Sequence, residues 1–260
     1  MVSKYFQVEV EPTIPATTSG LHLVYVSGEV LFDWTSFEVP RGGGRLIGAT
    51  VEIRPKGDAG STPNIFPLDL LFAKSKTLTT AAGVVTQNTA PSTLGAEGAN
   101  AVAPTDISLQ TDTYIGKMAI VAGDYSSTDS LAVASAAAPA GLLLYGQPET
   151  GSNVGVDTLY VGGIAKDAFS FISSTEIDNG DLNGPTMTVS GTDPRLFIAP
   201  GDTIAACDAT GTSVQIAMGE VATMAADSIV LTEAFATGDV ADADIIYNVN
   251  PIKIMLNFEK

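Results

Sequence analysis

A clean strand pattern follows three consecutive glycines in VPRGGGRLIGATVEIRPKG, which runs from Val39 to Gly57. Side chains alternate with a period of two from Leu46 to Ile53, as they do in a β-strand with one buried face. A phosphate-binding loop would instead lead into a helix whose backbone amides face the anion. The glycines therefore predict a tight connection between two antiparallel strands, and the pattern indicates a fold built from strands.

Strand signals of the same kind recur along the whole chain. Alternating, β-branched or aromatic runs occupy residues 4–11, 21–34, 64–74, 142–145, 157–165 and 167–172. The best helical candidate is DSLAVASAAA at residues 129–138, and Pro139 ends it. Because no amphipathic helix of ten or more residues is convincing, the chain is predicted to be all-β.

Residues 1–191 are predicted to form a large β-sandwich or jelly-roll-like domain with long apolar loops at 77–104 and 131–156. The final segment, 250–260, alternates after a proline and is expected to return to this domain as its last strand. Segment 77–104 holds one charged residue, Glu97. Two interpretations of that segment stay open, a disordered loop and an ordered excursion that lies on a neighbouring subunit.

Residues 192–249 are predicted to form a small β-barrel of the SH3-like or OB-like kind, because four to five short strands alternate with tight turns. Ile204 and Ala206 are expected to face one way. Gly219 is expected to make a β-bulge that shifts the register and returns Val221 to the interior.

The charge excludes some classes of partner. The chain has 12 basic and 29 acidic side chains, a net charge of −17, so nucleic acid is not expected as a partner. Residues 1–76 are nearly neutral at −1, whereas residues 77–260 carry −16, which indicates two surfaces with different neighbours. Only 16% of the residues are charged, against roughly 25% in an ordinary soluble domain. Such a composition favours burial of surface against protein partners.

Membrane and secretory signals are not recognised in the sequence. The longest apolar run, Leu131 to Gly146, is interrupted and falls short of the roughly 20 residues that span a bilayer. Glu9 and Glu11 interrupt the only early apolar stretch. The single cysteine, Cys207, cannot form an intrachain disulfide. We therefore expect synthesis in a reducing cytoplasm and no contact with membranes.

No arrangement of residues predicts catalysis, a metal or a cofactor. The only histidine, His22, lies in a strand pattern, and no nucleophile motif accompanies it. Cys207 has no second soft ligand nearby in the sequence, and it is expected to be a small apolar residue of the barrel. Asp178 and Asp181 suggest a calcium loop, but the twelfth position holds Val189 or Thr192 instead of glutamate. We expect a non-enzymatic protein, with these residues in turns.

The basic residues around the glycines are the candidate contacts with a partner. Arg41, Arg45, Arg54 and Lys56 cluster within sixteen positions of an otherwise acidic chain. A nucleic-acid arm would need interleaved aromatic residues and a larger basic excess. These side chains are therefore expected either to meet an acidic surface on a partner protein or to be solvated.

Two stretches resemble virion structural proteins of tailed phages, especially those of marine and cyanobacterial phages. They are FEVPRGGGRLIGATVEIRPKGD (37–58) and the segment from DPRLFIAPGDTIAACD to NPIKIMLNFEK (193–260). The resemblance implies a capsid decoration or cement protein on the capsid surface, made in the host cytoplasm. It implies the major capsid protein or other virion proteins as partners, and a homo-oligomer, for which a trimer is one arrangement.

Two alternative functions stay open. The chain could be another virion component of the tail, neck or vertex. It could also be a carbohydrate-binding or adhesive β-module, since all-β chains with Asp, Asn and Gly turns serve that role. Sugar-binding modules present exposed aromatic platforms, and the only tryptophan here, Trp34, is expected to lie in the core or pair within a strand.

Overall fold

The computed structural model describes residues 4–14, 25–54, 65–79, 85–91, 93–95, 113–128, 131–139, 142–144, 147–148, 155–169, 171, 173–178, 184–207, 216–235 and 240–260. Strands dominate these ranges, together with two single-turn 3-10 helices (Ala122–Asp124 and Pro194–Leu196). The strands before the barrel are β1 (Tyr5–Val10), β2 (Val30–Pro40), β3 (Gly44–Ile53), β4 (Leu68–Lys74), β5 (Lys76–Thr79), β6 (Val85–Thr89), β7 (Tyr114–Ile120), β8 (Tyr125–Thr128), β9 (Leu131–Ala137), β10 (Leu143–Leu144), β11 (Gln147–Pro148) and β12 (Val156–Ala165). The remaining strands are β13 (Thr175–Ile177), β14 (Gly184–Gly191), β15 (Thr203–Cys207), β16 (Ile216–Ala225), β17 (Ser228–Phe235), β18 (Ile245–Asn248) and β19 (Ile252–Glu259).

Two antiparallel sheets face each other and form a β-sandwich. The front sheet has the strand order β1-β19-β3-β9-β8, and β10 also pairs with β3. The back sheet has the order β11-β12-β4-β7, and β2 also pairs with β12. Strands β5 and β6 form a separate two-stranded ribbon. The prediction of an all-β fold with a barrel is confirmed.

The sandwich core lies between the two sheets. Phe32 and Phe72 enter it from the back sheet, and Leu46, Ile254 and Phe258 enter it from the front sheet; each is at most 1% exposed. Strand β19 reads buried and half-buried in strict alternation, which is the consequence of its period of two. Burial of these large apolar side chains is the main stabilising contribution to the sandwich.

The last strand joins the two ends of the chain in one sheet. β19 lies between β1 and β3 and pairs antiparallel with both, as its alternating pattern predicted. The barrel strands β13–β18 precede it and follow β12, so the barrel is an insertion between two strands of the sandwich.

The loop predicted at residues 131–156 is wrong, whereas the rejection of a helix at residues 129–138 agrees with the structure. The helical candidate is a strand, β9, which pairs with β3 and places Ala132 and Ala134 in the core. The region predicted as an apolar loop, 131–156, contains β9, β10 and β11. Alanine has a high helical propensity in isolation. Here the segment pairs with β3 and buries alternate side chains, and this tertiary context favours a strand.

The barrel is closed and has six antiparallel strands in the order β13-β14-β17-β16-β15-β18. β13 and β14 precede residue 192, so the predicted boundary at that residue is wrong and the barrel begins at Thr175. Residues 178–184 are rich in Asp, Asn and Gly, so the sequence pattern here was that of a turn-rich connector. Whether the barrel is SH3-like or OB-like stays a prediction.

The predicted bulge in the barrel is confirmed. The register between β15 and β16 shifts after Ile204, which pairs with Gly219, and Gly219 has a φ of +109°. Met218 and Val221 are both buried, although they are three residues apart. An extra residue in the bulged strand produces this spacing, because it returns the following side chain to the interior.

Candidate interaction surface

The glycine-rich turn crosses from one sheet to the other. Strand β2 pairs with β12 in the back sheet, whereas β3 pairs with β19 and β9 in the front sheet. The two strands are therefore not partners, and the prediction of a hairpin is wrong. The connection is a β-arch, which we call the arch (Pro40–Gly43). Within the arch, the N–H of Gly43 donates a hydrogen bond to the carbonyl of Pro40 at 3.0 Å. Gly42 and Gly43 have φ of +91° and +70°, a region of backbone conformation that favours glycine.

A buried carboxylate holds the arch from below. Asp157 of β12 is 3% exposed, and its Oδ2 accepts a hydrogen bond from the N–H of Gly42 at 3.0 Å. The N–H of Arg41 donates to the carbonyl of Gly155 at 3.0 Å. These two bonds fix the direction of the arch relative to the back sheet. The sequence analysis missed Asp157; the available signal was an acidic residue that begins an apolar strand.

The outer faces of the two sheets differ. The outer face of the back sheet carries a second apolar layer in which Leu94, 1% exposed, packs with Val30, Leu71 and Ile164. Leu94 thus lies on its own chain and not on a neighbour; much of segment 77–104 lies outside the described residues. The front sheet alternates buried and outward residues along β1, β3 and β19. Among the described residues no second apolar layer covers its outer face, which we call the open face of the sandwich.

Apolar side chains collect on this open face beside the arch. Tyr5, Glu259, Arg45 and Leu143 are successive partners across β1, β19, β3 and β10, so they form one row on the same face. Ile47 has no partner on β19, because the register shifts there. The described residues include seven exposed large hydrophobic side chains, and three of them, Tyr5, Ile47 and Leu143, lie here.

We call this surface the arch-end patch and define it by Tyr5, Arg41, Arg45, Ile47 and Leu143. Tyr5 is 57% exposed and Leu143 is 48% exposed. A shallow hollow of about 610 Å³ lies against the patch. Its lining residues are Tyr5, Phe6, Gln7, Ile47, Gly48, Asn257 and Phe258.

Gly48 lines the hollow, and close packing against β9 explains the glycine at this position. A Cβ there would stand 2.8 Å from the backbone oxygen of Ala136 on the neighbouring strand. Gln7 and Asn257 also line the hollow, and their side-chain amides are joined by a 3.0 Å hydrogen bond. The hollow thus has both apolar and polar lining residues.

One acidic residue stands among the cations of the patch. Glu259 forms an ion pair with Lys4, and its Oε2 lies 3.8 Å from Nη1 of Arg45. The hydrogen bond and the charge of Lys4 lower the pKa of Glu259, and Glu259 in turn raises the pKa of Lys4. The carboxylate therefore stays ionised in neutral solution. Lys4 and Arg45 thus both pair with this one carboxylate of β19.

The structure describes three of the four basic residues predicted as partner contacts, and it places them at two ends of β3. Arg41 and Arg45 lie together at the arch. Arg54 lies beyond the opposite end of β3, where its Nη2 is 3.4 Å from Oδ1 of Asp202 in the barrel. Lys56 lies outside the described residues. Of the three described residues, Arg41 and Arg45 therefore lie together and Arg54 lies apart from them.

A charged cleft of about 330 Å³ marks the junction with the barrel. Its lining residues are Glu11, Glu52, Arg54, Leu131, Gly201, Asp202, Thr203, Asn250, Pro251 and Lys253. Lys253 is paired with Glu9 at 2.7 Å and with Glu11 at 3.7 Å. Asp202 also accepts hydrogen bonds from the N–H of Ala199 and the amide of Asn248. Of these contacts, the Arg54–Asp202 ion pair joins the sandwich to the barrel, whereas the ion pairs of Lys253 lie within the sandwich.

The structure describes two of the residues that were considered for chemistry. Cys207 is buried in the barrel, and Asp178 is exposed; His22 and Asp181 lie outside the described residues. Within the ranges that the structure describes, no group of three or more His, Cys, Asp or Glu side chains could hold a metal ion. The same ranges contain no helix with the length and apolar character needed to cross a membrane.

Trp34 is packed and does not form a platform. It lies against the apolar layer that contains Leu94 on the back sheet. A Cβ at Gly162 would stand 3.2 Å from the Trp34 ring, which shows how closely the indole covers β12. This position agrees with the interpretation of Trp34 as a core residue.

Neither a protein-family model nor a curated protein matches this chain.

Proposed function

We propose that this chain is a non-enzymatic structural protein of a tailed-phage particle, a capsid decoration or cement protein that binds other protein chains through the arch-end patch. The observation that carries the proposal is the open face of the front sheet, where three exposed apolar side chains surround Arg45. The resemblance of residues 37–58 and 193–260 to virion proteins is the reason for assigning the chain to a phage particle.

The composition of the patch supports a protein partner. Tyrosine and arginine are enriched among the residues that dominate binding energy, and both stand at its centre. Contiguous exposed apolar surface on a soluble chain commonly marks such contacts. Two hydrogen bonds beneath the arch hold Arg41 in place before binding, so less conformational entropy is lost when a partner binds.

The role of such a protein is mechanical. A specific interface buries about 1,600 Å² in total, and repetition of that contact around a symmetric shell multiplies its effect by avidity. In this proposal the barrel contributes net negative charge to the particle surface, and the sandwich contributes the apolar contact. Residues 175–249 contain twelve acidic side chains and one basic side chain, a net charge of −11, which keeps decorated particles soluble.

Quantitative peptide mass spectrometry of purified particles tests the proposal by counting this chain against the major capsid protein. We expect copies in a fixed ratio near that of the capsid protein. A handful of copies would replace decoration with a role in the tail, neck or vertex. Absence from washed particles, with the chain abundant in the infected-cell lysate, would exclude the virion function.

A further inference from the structure

We propose that the outer edge of β1 pairs with β1 of a second copy of this chain, antiparallel about a twofold axis at Gln7. The two front sheets then form one continuous sheet across a dimer. The inference goes beyond the proposed function, because it requires neither the arch-end patch nor a phage particle. Purified protein is therefore sufficient to test it.

The backbone of β1 is hydrogen-bonded to β19 on one side. The N–H of Lys260 donates to the carbonyl of Lys4 at 2.8 Å, and the register of β1 with β19 continues without a shift. Because hydrogen-bonded pairs alternate along an antiparallel ladder, the N–H and carbonyl groups of Gln7 and Glu9 point away from β19. Within the described ranges, β1 pairs with no strand besides β19, and no hydrogen bond engages these backbone groups. They are a template for another strand.

The other edge strands carry features that oppose such pairing. The register of β2 with β12 shifts on both sides of Gly163, and Oδ1 of Asp33 binds the N–H of Leu94 at 2.9 Å. β7 has a register shift against β4 and carries Lys117. β8, β10 and β11 have at most four residues each. Bulges, lysines and short length all protect edges, whereas β1 has six regular residue pairs and no proline.

The side chains of β1 complement one another in this register. With the axis at Gln7, each Phe6 stands opposite the second copy's Val8, and each Tyr5 stands opposite the second copy's Glu9. An aromatic ring beside a β-branched side chain is a favourable cross-strand pair. An axis at Glu9 would instead place two carboxylates directly opposite each other, which is destabilising.

Pairing would also extend the sandwich core across the axis. Phe6 and Val8 are half-buried at the margin of that core, and Phe6 stacks on Phe258 at a centroid distance of 4.9 Å. In the proposed dimer they form non-hydrogen-bonded pairs, in which the side chains lie closest. Each covers apolar surface of the other copy. This self-complementarity favours a second copy over a strand of unrelated sequence.

Antiparallel pairing keeps the acidic barrels apart. β1 runs towards the barrel, and beyond its end the N–H of Ile14 donates to the carbonyl of Val249 at 2.7 Å. The second copy's β1 runs the opposite way, so its barrel is expected at the other end of the dimer. Parallel pairing would bring two segments of charge −11 side by side, which opposes association.

Sedimentation velocity over a concentration series tests the dimer. Gln7→Pro removes an N–H that points away from β19, so the β1–β19 ladder keeps its bonds, and the association constant should fall about tenfold or more. Gln7→Ala is the matched control. It loses the same side chain, with its 3.0 Å hydrogen bond to Asn257, but it keeps the N–H and should dimerise like the native chain. Circular dichroism checks that both variants are folded.

Disulfide cross-linking tests the register without removing a backbone donor. Gln7→Cys places two thiols at the axis, where the Cα atoms of a hydrogen-bonded pair are about 5.5 Å apart and within reach of a disulfide. Glu9→Cys is the control, because four residues of strand, about 14 Å, separate its two copies. The native Cys207 is buried. After mild oxidation and alkylation, non-reducing electrophoresis should show a covalent dimer of Gln7→Cys and none of Glu9→Cys.

A native chain that stays monomeric at every concentration would overturn the inference. So would a trimer, undiminished association of folded Gln7→Pro, or cross-linking of Glu9→Cys as readily as Gln7→Cys. The proposed function is decided separately by the copy number on particles. A dimer that is absent from particles would leave this inference standing and remove the virion function.

Discussion

The sandwich and the barrel are both built from antiparallel strands, but they use them differently. The sandwich takes strands from both ends of the chain, and its core is rich in phenylalanine. The barrel comes from one continuous segment, and its core is mostly aliphatic, with Met187 and Met218. The barrel also carries −11 of the net charge of −17.

This difference indicates a division of roles. A sheet with one open face can present apolar side chains to a partner, as the front sheet does with Tyr5 and Leu143. A small closed barrel has no free sheet edges and tolerates a strongly charged outer surface. On the proposed function, apolar contact with a partner is assigned to the sandwich, and the barrel contributes long-range electrostatic repulsion.

The largest expected effect compares the two cores. Phe258→Ala removes a fully buried ring that stacks on Phe6 at a centroid distance of 4.9 Å. It should lower the free energy of unfolding by about 3–5 kcal/mol, and Ile229→Ala in the barrel by about 2–5 kcal/mol. Urea unfolding is followed by the fluorescence of Trp34, which reports the sandwich, and by far-UV circular dichroism.

Both probes should shift together in each variant, because β19 enters the front sheet directly after the barrel closes. If Ile229→Ala moved the circular dichroism transition while the Trp34 transition stayed in place, the barrel would be an independent folding unit. The expectation that the sandwich and the barrel unfold as one cooperative unit would then be wrong.

An intermediate effect is expected at the junction. Asp202→Ala leaves the N–H of Ala199 and the amide of Asn248 without their acceptor, and it should cost about 1–3 kcal/mol of unfolding free energy. Arg54→Ala removes only the partly exposed ion pair and should cost less than about 1 kcal/mol. Chemical denaturation measures both values. Equal losses would show that the contribution of Asp202 comes from its ion pair with Arg54 across the junction, and not from its hydrogen bonds within the barrel segment.

The smallest effect compares two buried tyrosines. The hydroxyl of Tyr125 in the sandwich donates to the carbonyl of Phe66 at 2.9 Å, whereas that of Tyr247 in the barrel has no partner among the described residues. Tyr125→Phe should lose about 0.5–1.5 kcal/mol in thermal or urea unfolding. Tyr247→Phe should be neutral or stabilising. A clear loss in Tyr247→Phe would reveal a partner for its hydroxyl.

Burial raises the pKa of both phenols, which gives the same pair a pH dependence. Below pH about 10 both the folded and unfolded chains are protonated, and the stabilising contribution is complete. Above that pH the unfolded chain ionises first, so the free energy of unfolding falls as pH rises. Each Phe variant should show a shallower alkaline decline than the native chain.

The candidate site was only partly accessible to sequence reasoning. Arg41 and Arg45 were predicted as partner contacts because basic residues are rare in this chain. The apolar members of the patch carried no such signal, since Tyr5 and Leu143 lie 138 positions apart and meet only through β19, β3 and β10. Arg54 was grouped with the arch residues by proximity in sequence, but an extended strand moves it away from them.

The sequence by itself determined the all-β class, the alternation of β3 and β19 and the bulge at Gly219, because each depends on local periodicity or on one glycine. Only the tertiary structure decided that the arch joins two sheets, that the barrel begins at Thr175, and which sheet face stays open. Strand pairing is non-local, and the same period of two fits a hairpin as well as an arch. The choice between them is made by the partners that cover each strand edge and face.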